Sequence, residues 1–245
     1  MSMARLVALP LAPLLVWQGR RVRRDTPRLP EAPGEREGVA GAGRPGRPLR
    51  LLIVGDSSAA GVGAATQREA LSGQLLERLD AVLDRPLRWR LVAQSGASTA
   101  QALALLAREP ADRFDVAVLA LGVNDVTAMR SASRWLADVH ALQRHLLAYH
   151  RVRRVLWSGL PPMHRFPAMP QPLRGVMGLH ARGLDAALAR WCAARPAASP
   201  CRVIHVPLPP MSDRAMIASD GFHPGPAAYG RWADALAPHI LGRRG

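Results

Sequence analysis

Five short apolar runs, near residues 50 to 55, 88 to 93, 115 to 121, 153 to 158 and 202 to 206, are separated by stretches long enough to hold helices. Each run has the length of a strand, and the segments between them carry apolar residues at helical spacing. The stretch from 132 to 150, for instance, brings Trp135, Val139, Leu142 and Leu146 to one face. Further helices are predicted near 67 to 84, 98 to 108, 173 to 192 and 225 to 240. Strands alternating with helices run parallel, and right-handed crossovers put helices on both faces of the sheet. The expected fold is therefore a three-layer α/β/α sandwich around five parallel strands. A chain of 245 residues, 49% of them hydrophobic, can fill the core of one such domain.

In sheets of this kind ligands bind beyond the carboxyl ends of the strands, so the residues just after each run carry the chemistry. The first run leads into GDSSAAGVG, residues 55 to 63. A Walker loop would need Gly-Lys-Ser/Thr, and no lysine occurs anywhere in the chain. A dinucleotide fingerprint would need a different glycine spacing. A serine on a tight strand-to-helix turn instead projects its hydroxyl at the sheet edge, as a nucleophile requires. After the second run comes QSGAST, where Gly96 lets a backbone N–H approach a ligand, or where Ser98 or Thr99 caps the next helix. After the third, VLALGVND puts Asn124, a good oxyanion donor, at the same edge. Ahead of the last helix, SDGFHPG sets Asp220 and His223 three residues apart, a spacing that suits an orienting carboxylate and a general base.

Taken in order, these four blocks resemble those of the SGNH hydrolases, also called GDSL-type esterases and lipases. The resemblance covers residues 50 to 240 and implies a flavodoxin-like strand order. It also implies roles: Ser57 as nucleophile, Asp220 and His223 completing the triad, and an oxyanion hole from Ser57, Gly96 and Asn124. Ser58 stands where the family name has leucine. The implied reaction is cleavage of a carboxylic ester through an acyl-enzyme, with no metal or organic cofactor. An acyltransferase would use the same residues with an alcohol in place of water, and a non-catalytic binding module would use the fold alone.

Met163, Phe166 and Met169 follow the fourth run, and their flexible and aromatic side chains are candidates for the wall of a substrate pocket. His140, His145 and His150, five residues apart, are spread around their helix and read as surface residues. His205 and Asp213 lack an Asp-x-x-His pairing. Cys192 and Cys201 are too few for a structural zinc site and would be either a bridge or free thiols.

The net charge of +15 is carried by arginine alone. Arginines that are not gathered into one stripe, with aromatics at only 4%, argue against a nucleic-acid groove. Residues 1 to 24 combine the apolar run LVALPLAPLLVW with the basic run RRVRR. Twelve apolar residues interrupted by two prolines are shorter than a span, which takes about 20, and the arginines oppose export. An uncleaved segment lying in a membrane interface is expected; the competing reading is a helix packed on a cytoplasmic domain. Residues 25 to 48, rich in Pro, Gly, Arg and Glu, read as a linker, with the hydrolase domain over 49 to 245.

Overall fold

The computed structural model describes residues 3–196, 200–210 and 213–242, so residues 1–2 of the N-terminal segment and 243–245 of the domain lie outside it. Its order is α1 (Met3–Ala8), α2 (Ala12–Asp25), β1 (Glu37–Ala40), β2 (Leu49–Gly55), α3 (Leu71–Asp80), β3 (Leu87–Ala93), α4 (Thr99–Leu106), β4 (Val116–Ala120), α5 (Val123–Thr127), α6 (Ala132–His150), β5 (Arg154–Ser158), α7 (Leu173–Ala193), β6 (Arg202–Val206) and α8 (Pro226–Leu241).

The five expected strands are present as β2 to β6 and run parallel in the order β3-β2-β4-β5-β6. That order is flavodoxin-like. β4 is buried along its whole length and β2 nearly so, which is why both read as continuous apolar runs and not as alternating ones. α3 and α8 cover one face over a core that includes Leu51, Ile53, Leu75 and Tyr229. α4, α6 and α7 cover the other, around Trp135, Leu142 and Trp157. The α/β/α sandwich is as expected.

Among the described residues the sheet has six strands and not five. β1 adds to β3 in the antiparallel sense, with Gly38 opposite Trp89. Its sequence, EGVA, carries little apolar signal because at a sheet edge the pairing rests on backbone groups, with the Arg90 guanidinium donating to Glu37 at 2.9 Å. The stretch read as a linker is thereby part of the folded body. Ala32 is buried, its N–H donating to Ala60 O at 3.1 Å, and Gln67 Nε2 donates to Ala32 O at 3.0 Å. The N-terminal segment also packs on the domain: α2 buries Leu15 and Gln18, and Gln18 bonds Gln171 O and Leu173 N on the approach to α7. No helix among the described residues is long and apolar enough to cross a membrane.

Candidate active site

The chain leaves β2 for β3 on one side and later adds β4 on the other, so a crevice opens at the carboxyl ends of β2 and β4. Gly55 ends β2 where a Cβ would sit 2.3 Å from Ala59 Cβ and 2.7 Å from Ala120 O. Only glycine lets the chain fold back so tightly. In the turn that follows, Asp56 is buried, its Oδ1 accepting from Ser58 N at 3.0 Å, and Val62 N donates to Ser57 O at 3.0 Å. Ser57 is held at the crest, partly exposed.

His223 reaches it from the loop before α8, with Nε2 2.9 Å from Ser57 Oγ and Nδ1 2.5 Å from Asp220 Oδ2. A proton on Nδ1 facing Asp220 leaves Nε2 free to accept the serine hydroxyl. Burial pushes the Asp220 carboxyl up, but hydrogen bonds from the His223 ring and from the backbone N–H groups of His223 and Phe222 outweigh it and hold the group below its ordinary value. An ionised Asp220 is what an imidazolium forming beside it needs. Tyr229 on α8 ties this loop's helix to the serine turn, its hydroxyl donating to Val62 O at 2.7 Å.

Asn124 opens α5 after the left-handed Gly122, and its Nδ2 donates to Ala97 O at 3.0 Å. Nδ2 also makes a longer hydrogen bond to Asp56 Oδ2, at 3.4 Å, the weaker of its two contacts. Gly96 occupies a turn at φ +80, with open space where a Cβ would be. Among the described residues neither the N–H of Ser57 nor that of Gly96 meets a protein acceptor. Ser57, Gly96, Asn124, Asp220 and His223 all line one cavity of about 520 Å³.

Two carboxylates, one buried and one partly exposed, hold these turns. Asp125, beside Asn124, accepts from both Thr99 N and Thr99 Oγ1, at 3.0 and 2.8 Å, and Trp135 Nε1 donates to the same threonine hydroxyl. Burial raises the Asp125 pKa. Ser98 meanwhile caps α4 with a capping box. Glu31, from the presumed linker, accepts from Ser95 N at 2.6 Å and pairs with Arg36, which in turn donates to Ala93 O. Sequence reasoning missed Glu31, since nothing near it in the chain points to the Gly96 turn.

A match to the model of the GDSL-like lipase/acylhydrolase family runs from residue 53 to 231. The chain belongs to that family. This hydrolase is 29% identical, over 91% of its own length and 74% of the relative's, to a GDSL-like esterase of Mycobacterium tuberculosis. Its fold is similar to that of a lipase from a goat rumen metagenome, with a TM-score of 0.63 at 16% identity over 80% of this chain and 99% of that one. TesA is similar too, with a TM-score of 0.55 at 23% identity over 79% of this chain and 98% of the other.

The cavity wall of the GDSL-like protein departs from expectation. Phe166 lines it, edge-on to Phe222 at 5.0 Å, but Met163 and Met169 do not. Both are buried in the core, because the short helical turn at Met163–Arg165 presses inward against α7, where Gly178 lies under His164. Val22 from the N-terminal segment, and Thr26, Pro27 and Leu29 from the stretch read as a linker, supply wall in their place. His205 is taken by Asp185 at 2.8 Å, and Asp213 bonds Ala215 N. Of the three helical histidines, His150 is buried and not at the surface. Cys192 and Cys201 are free, and burial pushes their thiols up to about 12 and about 11.

Proposed function

We propose that the protein cleaves carboxylic esters through an acyl-enzyme on Ser57. Ser57 Oγ bonds to the ester carbonyl carbon as its proton passes to His223 Nε2, while Asp220 holds the ring and favours the imidazolium. The N–H groups of Ser57 and Gly96 and the Asn124 amide take the oxyanion. His223 then returns the proton to the leaving alcohol oxygen as the C–O bond breaks, and a water repeats the two steps to release the acid.

The observation that carries this reading is the unbroken chain from Ser57 Oγ through His223 to Asp220, at 2.9 and 2.5 Å, at the rim of a cavity with apolar walls. Leu29, Leu160, Phe166, Phe222 and Trp232 in that wall favour an ester with an apolar acyl or alcohol half. A fluorophosphonate should label wild type once, at Ser57, and label His223→Ala far more slowly. Labelling of Ser57→Ala to the wild-type extent would remove the mechanism. A p-nitrophenyl ester panel from acetyl to palmitoyl should show rising specificity as the chain fills the cavity. A preference for acetyl would rule out the apolar acyl half.

A further inference from the structure

Large apolar side chains exposed among the described residues are concentrated at one end of the chain. Leu6, Val7, Leu9, Leu14, Val16 and Trp17 are all exposed, Leu9 at 72% and Trp17 at 56%. This is not a frayed end, since the inner face of α2 is fixed to the domain by Leu15 and by the two hydrogen bonds of Gln18. The outer face has no cover from the described residues. Along that face apolar residues come first and arginines follow: Arg20, Arg21 and Arg24 are exposed, and Arg21 lies 5.6 Å from the centre of the Trp17 ring. Four arginines between residues 20 and 24 face a single acid, Asp25. Val22 and the segment after α2 then form part of the cavity wall. At 1.5 Å per residue, Leu14 and Val22 are about 12 Å apart along the helix.

We infer that α1 and α2 form a docking surface for an anionic lipid bilayer, with the exposed apolar residues Leu6, Val7, Leu9, Leu14, Val16 and Trp17 beneath the headgroups and the arginines among the phosphates. An apolar tip backed by an arginine collar and carrying an amphipathic tryptophan at the boundary is the chemistry such an interface selects. The segment lies on the bilayer and does not cross it, in keeping with its short helices. A second copy of the chain is a poorer occupant, because it would bring the same arginines, and a further net charge of +15, against the first. Docking brings the mouth beside Val22, Thr26 and Leu29 to the lipid surface, so a membrane-borne ester could enter without crossing bulk water. That consequence for catalysis rests on the reading of Ser57 given above; the docking does not.

The test is flotation of the full chain with phosphatidylcholine vesicles and with vesicles also containing phosphatidylglycerol. The protein should float with the anionic vesicles, and at least roughly tenfold less should float with the neutral ones or in high salt. The double variant Leu9→Asp, Trp17→Glu should lose flotation while keeping the wild-type thermal midpoint, since both side chains are exposed. Ser57→Ala should float like wild type, so loss of hydrolysis and loss of docking are read separately. Wild type that stays unbound to anionic vesicles overturns the inference. So does a double variant that floats unchanged, or one that turns a dimer into a monomer.

Discussion

A Cβ on Gly63 would sit 2.2 Å from the carbonyl oxygen of Pro224 and 2.9 Å from Ala218 Cβ. The last glycine of the serine turn is therefore the surface against which the His223 loop docks, at a φ of +96 that side chains rarely adopt. Gly63→Ala should push that loop away from Ser57. A misplacement of about 1 Å can cost roughly 100-fold in rate, so kcat should fall by that order while the fold survives. Steady-state kinetics beside a thermal melt would check it, and unchanged kcat would mean the loop does not depend on this contact.

Asn124 lines the cavity, its amide held by Ala97 O at 3.0 Å and more weakly by Asp56 Oδ2 at 3.4 Å. Replacing it with alanine should lower kcat by about 10² to 10³, the usual cost of one oxyanion donor, with KM little changed. A rise in KM at constant kcat would assign the amide to substrate binding.

Glu31 acts on the same site at one remove, by accepting the Ser95 N–H beside Gly96. Glu31→Ala should slow turnover by roughly tenfold, as expected for one lost hydrogen bond of about 1 to 1.5 kcal/mol. Glu31→Gln keeps an acceptor oxygen and should recover most of the rate. If both variants lose stability equally and neither loses rate, the residue only braces the fold.

Burial raises Asp56 from an ordinary 3.8 to about 6, against the opposing hydrogen bond from Ser58. A carboxyl whose folded value is raised stabilises the protein most below its unfolded value, and that stability is lost as pH rises through about 6. The cost over this window is about 3 kcal/mol, taking 1.36 kcal/mol per unit. Asp56→Asn removes the titration, so its stability should change less than wild type between pH 4 and pH 8. Denaturant melts at the two values give the comparison; equal slopes would show that Asp56 ionises freely.

The strands, the main helices and the four chemical stretches were legible because their signals are local. Apolar runs with helical spacing between them specify layers, and GDSS, GVND and DGFH are short turns whose own residues shape them. Even the pairing of Ser57 with His223, 166 residues apart, was accessible, since both sit at the same edge of any parallel sheet with this order. What stayed hidden was decided by distant contact. β1 pairs through backbone groups that leave little trace in EGVA, and Glu31 meets Ser95 across 64 residues. Met163 and Met169 share their loop with Phe166, yet the packing of a short helical turn on α7 sends them into the core and Phe166 to the cavity.

The N-terminal segment divides in the same way. Its order of apolar residues before arginines is written in the sequence and would be the same on any fold. That one side of α2 is spent on α7, the other left bare, and its end built into the cavity wall depends on where the folded sheet leaves room. Local chemistry determined which groups this protein carries to its edge; only packing, which brings together residues with no spacing in common, decided which of them share a site.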